Sequence, residues 1–81
     1  MLSSKLVGEV ISDMRKKKGV SQKVLSGLAG IARTHLSMIE NGKRKPTLET
    51  FYKICMSLRI SPSKAMREIE MRAESSDNEK L

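Results

Sequence analysis

The 81-residue sequence predicts a single all-α domain of five helices. Two observations carry this reading. Apolar residues recur at three-and-four spacing through five successive segments, the mark of helices with one buried face. Most of these segments are also bracketed by residues that begin or end helices, with Ser, Thr or Ser-Pro ahead of them and Gly behind. The length allows one small domain, near the size at which a single core is only just sufficient.

The first helix is expected over residues 3–18. Leu6, Val7, Val10, Ile11 and Met14 share a face, and Ser3 or Ser4 is available as its cap. Gly8 disfavours a helix interior by about 1 kcal/mol relative to alanine, so it marks close packing on a neighbouring helix. Arg15, Lys16, Lys17 and Lys18 place cations on the last turn, where the helix dipole favours them, and Gly19 ends it. Solvated, dipole-matched charges account for Lys16 to Lys18.

Residues 21–45, SQKVLSGLAGIARTHLSMIENGKRK, organise the rest. Ser21 caps a second helix whose apolar stripe includes Leu25 and Leu28. Gly30 stops it at a position needing a left-handed backbone, which a Cβ would oppose. Ser26 is small enough for another helix to pack closely. In the third helix Ile31, Leu36 and Ile39 point inward, leaving Arg33, Thr34, Ser37 and Met38 outside. Asn41-Gly42 ends that helix, and Lys43-Arg44-Lys45-Pro46 follows as a basic loop. A helix with a polar outer face and cations behind it suits the DNA major groove.

Thr47 caps a fourth helix with Leu48, Phe51, Ile54, Cys55 and Leu58 on one face. Phe51 reads as core, and Cys55 as a small buried hydrophobe with no base to make it a nucleophile. Ser61-Pro62 starts a fifth helix, Pro standing where no N–H is needed. Ile60 is placed to staple onto Ala65. Ile60, Met66 and Ile69 form an apolar edge that so small a domain leaves for a partner. Residues 1–71 are therefore expected to form the DNA-binding and dimerisation domain, and residues 72–81 an acidic, flexible tail.

Charge agrees with this division. Residues 1–67 carry 14 Lys/Arg against 4 Asp/Glu, and residues 68–81 carry 2 against 5. A basic body with an acidic end suits a polyanion bound by the body. Phe51 and Tyr52 are the only aromatics, which argues against stacking platforms for single strands. One Cys excludes an intramolecular disulfide and fits a reducing cytosol. No apolar run approaches the ~18 residues of a membrane span, and no signal-peptide-like apolar region opens the chain. A cytoplasmic location is expected. No metal, phosphate-loop, dinucleotide or triad pattern can be assembled, so neither cofactor nor enzyme activity is expected. The sole histidine, His35, reads as a polar residue on an exposed helix face. The length leaves no room for a large effector-sensing domain.

Gln22, Leu25-Ser26, Gly30 and Ile39-Glu40-Asn41-Gly42, followed by Pro46, resemble the helix-turn-helix of the Cro/CI-type (XRE) regulators. The resemblance covers roughly residues 5–70 and implies a five-helix, lambda-repressor-like fold. Arg33-Thr34-His35-Leu36-Ser37 resembles a segment of restriction–modification controller proteins within that family. The resemblance also pairs Arg15 with Glu40, a part-buried salt bridge tying the first helix to the third. Lys23 departs from the family pattern, which often has an acid nearby. Ala32 departs too, since relatives commonly open the recognition helix with Ser or Thr.

The expected function is sequence-specific binding of a duplex-DNA operator as a transcription-regulating homodimer. Gln22, Asn41, Lys43 and Arg44 would hold phosphates. Arg33 and Thr34, with Ser37 and Met38 further along, would read base edges. Ile60, Met66 and Ile69 would form the dimer contact. The alternative is an antitoxin or adaptor module using the same fold to bind a protein, whose signature would be an apolar recognition face.

Overall fold

The computed structural model describes residues 2–79, with side chains as far as Ser75. Among these residues are five helices and no strand: α1 (Ser4–Lys17), α2 (Gln22–Ala29), α3 (Arg33–Glu40), α4 (Leu48–Ser57) and α5 (Pro62–Glu79). The expected caps form. Ser3 Oγ accepts the Leu6 N–H at 3.0 Å, Ser21 Oγ that of Val24 at 3.1 Å, and Thr47 Oγ1 that of Thr50 at 3.0 Å. Each hydroxyl satisfies a donor that the first helical turn leaves without a partner.

Val10, Ile11, Leu25, Leu36, Ile39, Ile54 and Cys55 are fully enclosed, with Phe51, Leu58, Ala65 and Ile69 completing the core. Burial pushes the Cys55 thiol up to about 11, in keeping with an inert apolar role. Helix α2 packs on α4 and α3, α1 on α3 and α5, and α4 on α5. Gly8 is where α1 meets α3. A Cβ there would stand against the carbonyl oxygens of Ile39 and Glu40, 2.8 Å from the latter.

Several expectations need correcting. Leu28 is 63% exposed, and Ala29 takes the buried place beside Leu25. Leu48, the first residue of α4, also lies outside, and Phe51 one turn later is the first residue of that helix in the core. Ile69 is only 1% exposed and packs in this chain's own core, where an exposed apolar edge was expected. Ile60 is half-buried against that core, leaving Met66 as the exposed member of the expected trio.

Helix α5 also runs past residue 71. Ala73 is buried, and Arg72 binds Asp13 Oδ2 of α1 at 2.8 Å and Glu68 Oε1 at 3.0 Å. Those contacts put the first turn of the expected tail inside the domain. Residues 80 and 81 of that tail lie outside the described residues.

Candidate nucleic-acid interface

The site is assembled by the turn between α2 and α3. Gly30 takes φ +69°, and the next N–H, that of Ile31, donates to the Ser26 carbonyl at 3.0 Å. This closes α2 and turns the chain sharply. Leu36 and Ile39 are then drawn fully into the core, with Ile31 packed at its edge. Their burial fixes which side of α3 faces out. Arg33, Thr34 and Met38 are exposed there, and Ser37 and His35 are half-exposed.

At the far end Gly42 takes φ +75°, and the Lys43 N–H donates to the Met38 carbonyl at 2.9 Å. The chain leaves α3 immediately, and Lys43, Arg44 and Lys45 stand in solvent. Among the described residues, none of these three, nor Arg33, lies in ion-pair range of a carboxylate. Among the described residues, four cations around one exposed helix thus have no carboxylate partner.

Helix α3 is held by a network at its last residue. Arg15 Nε and Nη2 donate to the two oxygens of Glu40 at 2.7 and 2.9 Å, a bidentate pair. The side chains are 12% and 4% exposed, respectively. Burial alone would push the Glu40 carboxyl up. The hydrogen bonds from Arg15 and Gln22, the Arg15 charge and Ser12 outweigh that and hold it below the ordinary carboxylate range. Arg15 Nη1 also donates to the Val20 carbonyl at 3.0 Å, fixing the loop from α1 to α2. The pair implied by the family resemblance is therefore present.

Two expected phosphate residues have partners within the chain. Gln22 Nε2 donates to Glu40 Oε1 at 3.1 Å, which seats the start of α2 beside the end of α3. A primary amide carries two N–H groups, and this bond uses one of them. Asn41 Nδ2 donates to Ser37 Oγ at 3.3 Å, joining a residue expected on phosphate to one expected on bases. Sequence reasoning missed the bonds of Arg15 to Val20 and of Arg72 to Asp13. No local pattern marks contacts to a carbonyl or across 59 residues. It placed Gln22 next to DNA without seeing its bond to Glu40, although Gln22 and Arg15 both reach the same carboxylate.

Ala32 holds the backbone of an N-cap, φ −65° and ψ 142°, with no side-chain bond to the α3 N-terminus. The geometry for a cap is in place and only the acceptor is missing. Ala32→Ser is expected to raise stability by about 1 kcal/mol, read as a higher melting temperature. An unchanged melt would mean that the α3 start does not hold this geometry in solution.

Comparison with known proteins agrees with this anatomy. The Helix-turn-helix family profile matches residues 11–64. The HTH-type transcriptional regulator y4dJ of Sinorhizobium fredii is 35% identical over 57 residues, 70% of this chain and 74% of its own length. The ImmF control region 10 kDa protein of Bacillus phage phi105 is 37% identical over 60 residues, covering 74% and 67%. Among solved structures, the restriction-modification controller protein C.AhdI of Aeromonas hydrophila superposes with TM-score 0.72 at 30% identity. That match covers 82% of this chain and 94% of C.AhdI. The wild-type controller C.Esp1396I gives TM-score 0.78 at 26% identity, covering 84% and 87%.

A tight turn closed by Gly30, an outward α3 and a basic loop behind it define a helix-turn-helix DNA-binding module. The chain belongs to the XRE-type helix-turn-helix family of DNA-binding transcriptional regulators. No helix among the described residues is long and apolar enough to cross a membrane.

Proposed function

We propose that this protein binds a near-palindromic duplex-DNA operator as a homodimer, reading base edges with α3 and regulating transcription as a controller or phage-type repressor does. One observation carries the reading. Leu36, Ile39 and Glu40 anchor one side of α3, which leaves Arg33, Thr34 and Met38 on the other, with Lys43 and Arg44 beyond its end. Arg33 stands at the helix start, the end that reaches base edges when a recognition helix enters the major groove. An arginine can bond guanine O6 and N7 together, and a Thr or Met methyl can touch a thymine methyl. Lys43, Arg44, the second N–H of Gln22 and Asn41 hold the flanking phosphates. The likeness to two restriction-modification controllers and to a phage ImmF control region protein supports both regulator types. The polar outer face of α3 speaks for DNA over a protein-binding adaptor.

Dimerisation uses the outer face of α5 with Met66, and two copies place recognition helices about one DNA turn apart, ~34 Å.

Arg33→Ala is expected to cost ~1–3 kcal/mol at the cognate site and little on scrambled DNA. Lys43→Ala is expected to weaken both DNAs alike and to lower the salt slope by about one. Binding titrations at several salt concentrations separate the two. Equal weakening of both DNAs by Arg33→Ala would exclude its base-reading role.

A further inference from the structure

Four further lysines gather where α1 ends and α2 begins. Lys16, Lys17 and Lys18 stand in solvent on the last turn and C-cap of α1, and Lys23 stands in solvent on the first turn of α2. Among the described residues, none of the four lies in ion-pair range of a carboxylate. Dipole matching accounts for the three on α1, because a helix C-terminus favours cations. It works against Lys23. A helix N-terminus favours anions, yet the first turn of α2 holds no acid and does hold this lysine. A cation that opposes its own helix dipole and meets no carboxylate within the chain suits an anion outside it.

The fold fixes where these lysines lie. The loop from α1 to α2 is closed by the Val20 N–H on the Arg15 carbonyl at 3.2 Å and by Arg15 Nη1 on the Val20 carbonyl at 3.0 Å. Arg15 and Gln22 both bind Glu40, the last residue of α3. The lysine-bearing end of α1 and start of α2 are thereby seated at the end of α3 opposite Arg33, about 10 Å away along the helix axis. Lys43 and Arg44 leave α3 at that same end.

Resting on the DNA-binding reading above, we propose that Lys16, Lys17, Lys18 and Lys23 form a second phosphate-binding patch, which grips duplex DNA beyond the ends of the operator. The patch lies past the Gln22 contact, on the side away from the bases that Arg33 meets. Lysine suits such a task. A compact charge on a flexible stem meets a phosphate from many directions and lacks the planar fork that selects a base edge. The partner is duplex DNA because the patch continues the basic surface beside α3, where a phosphate backbone already runs. The result is added affinity with no added sequence preference.

Duplex length tests this. An operator is first selected by the full chain from a pool of random duplexes. It is then compared bare and with one helical turn of arbitrary sequence, about ten base pairs, added at each end. The wild type should bind the longer duplex about tenfold more tightly at low salt, with a salt slope steeper by about two, one added phosphate per end. With Lys16, Lys17, Lys18 and Lys23 all changed to glutamine, both gains should vanish, while the bare operator stays preferred over a scrambled duplex. Lys43→Ala is the comparator, and should weaken both lengths alike and keep the gain. Circular dichroism of the glutamine variant should give unchanged helix content, since all four side chains are exposed. A wild type that binds both lengths equally, or a glutamine variant whose gain on the longer duplex survives, overturns the patch and leaves the operator reading standing. A wild type that selects no operator and prefers no duplex overturns both.

Discussion

Gly8→Ala is expected to destabilise the fold by about 3 kcal/mol, although alanine is the better helix former. In an exposed helix the substitution would gain about 1 kcal/mol. Here the added methyl would stand against the carbonyl oxygens of Ile39 and Glu40. Those are backbone atoms of the last turn of α3, and they cannot turn aside as the end of a flexible side chain can. Overpacking a dense core costs typically 1–3 kcal/mol and sometimes more. The displacement would also spread to α3, whose C-terminal turn carries Glu40 and leads into the basic loop.

In a domain of this size the loss would appear as a melting temperature lower by more than about 10 °C. DNA affinity should fall as well at temperatures where the variant is still folded, because the recognition helix would be tilted. A melt at the wild-type temperature would mean that α1 and α3 do not approach as closely as the structure has them.

What could be read in the sequence was what depends on neighbours along the chain. Ser3, Ser21 and Thr47 cap because a hydroxyl at that offset reaches an N–H three residues on. Gly30 and Gly42 were legible because a glycine just past an apolar-periodic segment readily takes the left-handed conformation that closes a helix. Gly8 signalled its tight contact through its cost. Which edge of an apolar stripe faces the core was less visible. In α2, both Leu28 and Ala29 lie near Leu25 on the helix surface, and a helix of eight residues does not decide between them. Leu48 sits at the first position of α4, where periodicity cannot tell that the core has ended. Ile69 was assigned to a partner because the packing of α5 on α1 is a tertiary fact. The ion pair from Arg72 to Asp13 has the same origin, so the domain extends past residue 71.

Arg15→Ala is expected to cost about 3 kcal/mol at neutral pH, against less than about 0.5 kcal/mol for the exposed Lys17→Ala. Removing one member of a fully buried pair costs ~3–5 kcal/mol, because the other charge is left in a poor solvent. Both side chains here are almost enclosed, and Arg15 additionally loses its bond to Val20. The dependence on pH separates this network from simple packing. Glu40 has its carboxyl held below the ordinary value of 4.5. The folded state therefore binds fewer protons there than the unfolded chain does, and the resulting stability is present above the unfolded value. It is lost as pH falls through the lower folded value. Melts of wild type, Arg15→Ala and Glu40→Gln across pH 7 to 3 should find the wild type losing its advantage over both below about pH 4.5. The glutamine variant should have the flatter profile there, since it has no carboxyl at this position to protonate. A gap between wild type and Arg15→Ala that stays constant down to pH 3 would show that Arg15 stabilises by packing and by its bond to Val20, and that its charge on Glu40 contributes little.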